Sequence, residues 1–381
     1  MTTTDQGTDQ GIDQGTDQTA AQTAAIDEAA VMDFVFRAVD EVGAALNAAL
    51  VVLGDKLGYY EALADQGPIT AAELARSTGT GEKYATEWLN AQAAGSFVTY
   101  DPESRRYTLP PEKAVALTDA SSPAYLPGLY QIAFGTICDA PRIIDLARDG
   151  DGLGWGDHNT DVHEGCERFF RPGYAANLVA SWLPALTGVV EKLERGASVA
   201  DMGCGHGSST VLMAEAFPAS RFVGSDAHAA SIVTARHRAA EAGVGDRIDF
   251  TVADAGHLPG AGHDLITTFD ALHDMGDPVG VARRVHDVLA DDGTWMIVEP
   301  AAGDRIEDNL NPVGRVYYGF STLLCTPSSL SQEVGLAIGT QAGPARIRDI
   351  VTAAGFDHFR VAAQTPFNNV LEVRKMSTEQ G

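Results

Sequence analysis

Apolar and polar positions change rhythm several times along this chain. Over residues 1–25 there is no rhythm of a core-forming kind. The pair Asp-Gln returns every four residues (Asp5, Asp9, Asp13, Asp17), and no aromatic residue precedes Phe34. Such a segment cannot bury enough apolar surface to offset its ordering entropy, so residues 1–26 read as a disordered tail. Gly7, Gly11 and Gly15 oppose the helix that the four-residue spacing alone would suggest. From Val31 to Leu53 the apolar positions follow a helical period and predict one or two long helices.

The stretch 57–111 is more explicit. Thr70 followed three residues later by Glu73 is a capping box that opens a short helix ended by Gly79. A second helix over Lys83–Ala94 carries Tyr84, Trp88, Leu89 and Gln92 near one face. Phe97–Tyr100 and Arg106–Leu109 alternate around Asp101-Pro-Glu-Ser, which predicts a hairpin. Helix, turn, helix, hairpin is a winged-helix pattern. Residues 119–198 are helical around a loop-like acidic stretch, 150–165, which reads as the link between two domains. Domains are therefore expected at 27–165 and 166–381.

From residue 197 the rhythm alternates strand and helix. Strands are expected over Ala197–Gly205 (ending in a glycine turn), Ser220–Asp226, Arg247–Asp254, His263–Asp274 and Gly293–Pro300, and two closing strands at Phe359–Ala362 and Asn368–Arg374. This spacing predicts an α/β fold: a Rossmann-like, doubly wound, seven-stranded, mostly parallel sheet preceded by a mainly helical winged-helix domain. Ligands of such sheets bind at the carboxyl ends of the strands.

Composition then narrows the function. The 381 residues include 52 Asp and Glu against 26 Lys and Arg, a formal net charge of −26. Phosphate affinity comes from Lys and Arg, so nucleic acid is not an expected partner. The would-be recognition helix carries Glu82 and Glu87 against Lys83, whereas a groove reader presents a basic face. No run approaches the ~20 apolar residues of a membrane helix. The N-terminus has no basic and apolar signal pattern, and cytoplasmic location is expected. Cys138, Cys166, Cys204 and Cys325 lie far apart without a CxxC pair, which suggests neither a disulfide framework nor a metal site.

The chemistry concentrates in Asp201-Met-Gly-Cys-Gly-His-Gly207, a glycine turn at the end of the first strand of the alternating region. Asp226, 19 residues after Gly207 at the next strand tip, is placed to bind ribose hydroxyls. Asp254, at the third tip, is placed to accept from an exocyclic amine. Gly203-Cys-Gly205 is followed by His-Gly-Ser, so the dinucleotide pattern G-x-G-x-x-G fails. An acid at Asp201 opposes pyrophosphate and suits a ligand with a positive centre.

On these residues the segment resembles a class I S-adenosylmethionine-dependent methyltransferase. With the winged-helix module in front, the whole chain resembles two-domain small-molecule O-methyltransferases. The resemblance implies S-adenosylmethionine as cofactor, a small-molecule acceptor and a homodimer made by the N-terminal module. Its motifs fall on Asp201, Gly203, Cys204, Gly205 and Gly207, on Asp226 with Ala227, on Asp254 with Ala255, and on Phe269. Phe170 and Tyr174 precede the first motif and are placed to close over the cofactor. Leu272-His273-Asp274-Met275-Gly276-Asp277 resembles the family segment whose His is the general base. That makes His273 the base, with Asp274 beside it and Glu299 near the place of the His-orienting acid. Tyr317, Tyr318 and Phe320 stand where acceptor substrates bind in the resembled family. The family's Lys, Trp and further Glu are replaced by Phe269, Met275 and Ala345. Two other readings stay open: a non-methylating member of the same fold, pericyclase-like or decarboxylase-like, and a winged-helix transcription regulator.

Overall fold

The computed structural model of the protein describes residues 2 and 26–375, so the expected disordered tail lies almost wholly outside the described residues. The chain divides into two compact units, residues 1–44 and 45–381. The described part of the first unit is the opening of helix α1 (Glu28–Lys56), a single long helix over the stretch expected as one or two. Phe34, Phe36 and Val39 are exposed there.

The second unit takes in the rest of α1 and continues with the winged helix. Helices α2 (Tyr59–Gln66), α3 (Ala71–Thr78) and α4 (Glu82–Ala94) precede the hairpin β1 (Thr99–Asp101) and β2 (Arg106–Thr108), and α5 (Pro111–Thr118) follows. The capping box is present: Glu73 N–H donates to Thr70 Oγ1 and Thr70 N–H donates to Glu73 Oε2. Trp88, Leu89 and Gln92 of α4 are buried, but Tyr84 is 76% exposed and does not share their face.

Two long helices, α6 (Pro127–Asp149) and α7 (Thr160–Asn177), come next and pack against each other. Their contact is made by glycines. A Cβ on Gly128 would lie 2.5 Å from Phe169 N, and one on Gly165 would lie 2.6 Å from Ile132 N. The domain boundary expected at residue 165 therefore falls inside α7, and Gly165 is a packing residue. The acidic stretch before it is not a free link either. Leu153 N–H donates to Pro327 O and Arg142 Nη1 donates to Asp157 O. An acidic, glycine-rich composition suggested a linker; nonlocal packing decided otherwise.

After helix α8 (Val189–Arg195) the sheet is built from β3 (Ser198–Met202), β4 (Arg221–Asp226), β5 (Ile248–Val252), β6 (His263–Phe269), β7 (Leu289–Pro300), β8 (His358–Gln364) and β9 (Asn368–Arg374). The order is β5-β4-β3-β6-β7-β9-β8, with β9 antiparallel to both neighbours. Helices α9 (Ser208–Ala216), α10 (Ala229–Glu241) and α11 (Pro278–Val288) alternate with the strands. Helices α12 (Pro312–Phe320), α13 (Thr326–Leu330) and α14 (Pro344–Ala353) follow β7. One core cluster joins α7, α9 and α10 to one face of the sheet, and a second joins α11 and α14 to the other. Trp295 on β7 is fully buried and donates through Nε1 to Thr268 Oγ1. No helix among the described residues is long and apolar enough to cross a membrane. Strand order reverses beside β3, so a crevice opens at the carboxyl ends of β3, β4 and β6.

Candidate active site

The crevice holds a cavity of about 990 Å³. Its floor starts at the turn after β3. Gly203 and Cys204 N–H groups both donate to Ser225 O, at 2.8 and 3.0 Å, which ties the turn to β4. Gly205 lines the cavity at φ +51°, and a Cβ there would meet open space rather than protein. Its N–H donates to Asp226 Oδ2 at 2.9 Å, while His228 N–H donates to Asp226 Oδ1 at 2.8 Å. Each carboxylate oxygen of Asp226 thus has one backbone donor and keeps capacity for a second. Burial raises the Asp226 pKa above the ordinary carboxylate range against those two donors.

Helix α7 forms the cover. His163, Glu167, Phe170 and Tyr174 recur at i, i+4, i+7 and i+11 and all line the cavity, the spacing of one helical face. Phe170 and Tyr174 stack with centroids 5.9 Å apart, and Tyr174 packs on Phe269 at 5.1 Å. Glu167 ties the cover to the floor: it accepts from Ser208 Oγ and pairs with Arg238, both at 3.0 Å. One residue further, Arg168 forks onto Asp55 with two 2.8 Å contacts.

The end of β6 carries the buried acid–base groups. Asp270 has φ +47°, a strained conformation for a residue with a Cβ. It accepts from Tyr174 Oη and from Asn368 Nδ2, each at 3.1 Å, and burial followed by the Glu299 charge pushes its pKa up to about 7. Three residues on, His273 Nδ1 lies 2.5 Å from Glu299 Oε2, and Glu299 Oε1 accepts from Leu272 N–H. His273 Nε2 faces Asp274 Oδ1 at 3.4 Å and shares a close cluster with Cys325. Burial alone would lower the His273 pKa, but the carboxylates of Glu299 and Asp274 outweigh it and hold it well above the ordinary value. Burial pushes the Cys325 thiol up to about 12, which keeps it protonated.

Of the residues singled out from sequence, Gly203, Cys204, Gly205, Asp226, Ala227, Asp254, Ala255, Phe269, Phe170 and Tyr174 line this one cavity, and so does Asp274. Gly207 does not. It turns the chain at φ +76°, against Phe250 and Ala235. Asp201 corrects the expectation of an acid facing the ligand. It is buried away from the cavity, and Ser209, Thr210 and Thr267 hydroxyls all donate to it at 2.6–2.8 Å. His273 and Glu299 are buried directly behind Asp274 rather than on the cavity surface. Tyr317, Tyr318 and Phe320 do not line the cavity. Tyr317 is buried and donates to Phe367 O at 2.9 Å, and Phe320 packs with Leu324 and Cys325. Ser331, Gln332, Glu333 and Val334, just downstream, line it instead. Sequence reasoning did not place Glu167, His163 or Asp270 in this site. The helical spacing of α7 was the available signal for the first two.

The cavity lining fits S-adenosylmethionine. It offers a strand-tip acid with spare acceptor capacity, a glycine open to a close-lying ligand and an aromatic cover. Its charged lining is acidic, with Glu167, Asp226, Asp254, Asp270, Asp274, Asp277 and Glu333 against Arg171, which suits a cationic sulfur.

This arrangement of glycine turn, strand-tip acid and aromatic cover is the one the resemblance to a methyltransferase domain implied. Residues 193–332 match the family model described as a methyltransferase domain, and residues 44–119 match an Rv2258c-like winged HTH domain. The chain carries a methyltransferase domain behind a winged-helix domain, and the cofactor of that domain type is S-adenosylmethionine. Among curated proteins, it is 32% identical over 108 residues to trans-aconitate 2-methyltransferase of Paracidovorax citrulli (strain AAC00-1), covering 28% of this chain and 40% of that protein. It is 27% identical over 169 residues to 27-O-demethylrifamycin SV methyltransferase of Amycolatopsis mediterranei (strain S699), covering 42% and 57%. The matches thus span well under two thirds of these relatives. Similar solved folds include the mitomycin 7-O-methyltransferase MmcR (TM-score 0.68, 18% identity, 92% of this chain and 100% of that one). Human N-acetylserotonin methyltransferase in complex with SAM is another (TM-score 0.64, 16% identity, 93% and 99%).

Proposed function

We propose that this protein transfers the methyl group of S-adenosylmethionine to a small-molecule acceptor, at a hydroxyl oxygen, with His273 as general base. The observation that carries the reading is the joining of two arrangements in one crevice. Asp226 and the Gly203–Gly205 turn lie on one side. The His273–Glu299 pair lies behind Asp274 on the other. When bound, the cofactor supplies a methyl carbon made electrophilic by its sulfonium.

The chain's own residues do the rest. Asp226 accepts from ribose hydroxyls, and Phe170, Tyr174 and Phe269 exclude water from the transfer region. Holding donor and acceptor in line supplies up to about 7–11 kcal/mol in favourable cases. In the neutral ring Glu299 holds the proton on Nδ1 and leaves Nε2 bare; a proton taken by Nε2 gives an imidazolium whose Nδ1 faces Glu299 and whose Nε2 faces Asp274. The N-terminal module makes a homodimer in this reading, which the exposed apolar residues of α1, among them Phe34, Phe36 and Val39, support. The acidic character of α4 speaks against a DNA-reading role.

One observation favours a second reading. His273 stands off the cavity surface and is held in its charged form. An acceptor that needs no proton removal, or a non-methylating reaction on the same cofactor site, would use the cavity without it.

Calorimetry with S-adenosylmethionine and S-adenosylhomocysteine tests the proposal. Micromolar binding is expected, and binding of neither would overturn it. Incubation with methyl-labelled cofactor and candidate hydroxylated acceptors then separates the two readings.

A further inference from the structure

His163 is a side chain of the cover that the proposed reaction leaves without a task. The residue is only 8% exposed, and apart from a weak backbone interaction with His158 neither Nδ1 nor Nε2 has a hydrogen-bond partner among the described residues. Buried polar nitrogens are nearly always partnered, so an under-partnered ring that lines a cavity has room for a bond to what the cavity holds. The ring lines the cavity, stacked on His228 with centroids 4.6 Å apart and an interplanar angle of 24°, and it meets Trp155 edge-on at 5.2 Å. His228 is the residue whose N–H holds Asp226. His163 therefore belongs to the end of the cavity where the strand-tip acid stands.

The opposite end lies along the same helix. Tyr174 is 11 residues further on, about 16 Å at 1.5 Å per residue, and there it bonds Asp270. His163 is thus remote from the proposed transfer chemistry. A metal role is disfavoured by the stacking, because parallel imidazoles present faces to each other and do not converge their lone pairs on one point. Burial, then the His228 and His158 imidazoles, push the His163 pKa down to about 4, against a weaker pull from the His158 backbone. At neutral pH the ring thus carries one N–H donor and one bare nitrogen acceptor. That pair suits a group that both donates and accepts, such as a hydroxyl, and does not suit an anion.

We propose that His163 is a cofactor-positioning residue that hydrogen-bonds a ribose hydroxyl of the adenosyl group beside Asp226. This rests on the methyltransferase reading above. It adds a polar contact from the cover to the contacts expected from the strand tips. The adenosyl group is then contacted from α7 as well as from the strand tips.

The test is calorimetry on the full chain with S-adenosylhomocysteine and its 2′-deoxy and 3′-deoxy analogues. His163→Phe keeps an aromatic ring on His228 but removes both nitrogens. It is expected to weaken S-adenosylhomocysteine about tenfold, the scale of one lost hydrogen bond. It should leave unchanged the affinity for the one deoxy analogue that lacks the partner hydroxyl. His163→Gln, which restores a donor and an acceptor, should recover most of the loss. Circular dichroism checks folding, and His163→Met replaces the Phe variant if that one fails to fold. Undiminished binding by His163→Phe overturns the inference alone, and so does an equal loss for all three ligands. Failure of the unmodified chain to bind S-adenosylhomocysteine overturns the methyltransferase reading and this inference with it.

Discussion

Glu299→Gln is the most informative single change, because the two oxygens of Glu299 have different duties. Oε1 accepts from Leu272 N–H at 3.0 Å and Oε2 sits 2.5 Å from His273 Nδ1. A glutamine has one oxygen for two donors. If that oxygen keeps Leu272, the amide NH2 faces Nδ1 and forces the proton to Nε2, the wrong tautomer for a base. If it keeps Nδ1–H, Leu272 N–H faces an NH2 group. Either way a buried contact is lost, at about 1.5–3 kcal/mol for a hydrogen bond to a charged group.

The same change removes one of the two carboxylates that hold His273 protonated. In general an opposite charge this close is worth roughly 1.4–4 kcal/mol to the charged form. Because the folded pKa lies above the ordinary one of about 6.5, the pairing stabilises the fold fully below that pH. The contribution is lost as the pH rises through the folded value. Nuclear magnetic resonance of histidine-labelled protein reads this without a substrate. The His273 ring should titrate well above its ordinary midpoint in the unmodified chain and fall back toward it in Glu299→Gln. The unfolding free energy of the variant should fall most at low pH. A His273 midpoint at or below about 6.5 in the unmodified chain would refute the reasoning.

Other consequences are open to measurement. Asp226→Ala removes the acceptor beside Gly205 and should weaken S-adenosylhomocysteine more than tenfold by calorimetry; an unchanged affinity would remove Asp226 from the site. Asp201→Ala strands three buried hydroxyls, each costing about 1–3 kcal/mol, so denaturant unfolding should show a large loss and Asp201→Asn a smaller one. Asp270 ionises near pH 7 when folded and near 3.8 in the ordinary state, so it draws stability away as the pH rises between those values. Asp270→Asn should therefore gain thermal stability relative to the parent at pH 8 but not at pH 4, with ~1.4 kcal/mol for each pH unit between the two values as an upper limit. An equal effect at both pH values would count against a raised carboxyl.

The sheet was legible because its strands are short apolar runs closed by turn residues, as in Ser198–Met202 before Gly203 and Arg221–Asp226 before Ala227. Asp226 was legible as a cavity residue because a place at a strand tip is a local property. Asp201 stands at a strand end too, but its partner Thr267 is 66 residues away on β6, so nothing local showed that its carboxylate was already occupied. Tyr317 was misplaced for the same reason, since the acceptor of its hydroxyl, Phe367 O, lies 50 residues on. On α7 the aromatic pair Phe170 and Tyr174 advertised itself. His163 and Glu167 share that face but look, in an acidic segment, like solvent-facing residues.

The glycine-mediated crossing of α6 and α7 bears on how such a protein can be taken apart. The winged-helix match ends at residue 119 and the methyltransferase match begins at 193, so the cover, Thr160–Asn177, falls within neither. Yet the cover is clasped from both directions, by Asp55 through Arg168 and by Ser208 and Arg238 through Glu167. A graft that exchanges either module along those borders inherits a roof cut for another building. The stretch between the modules is the part that has to travel with both.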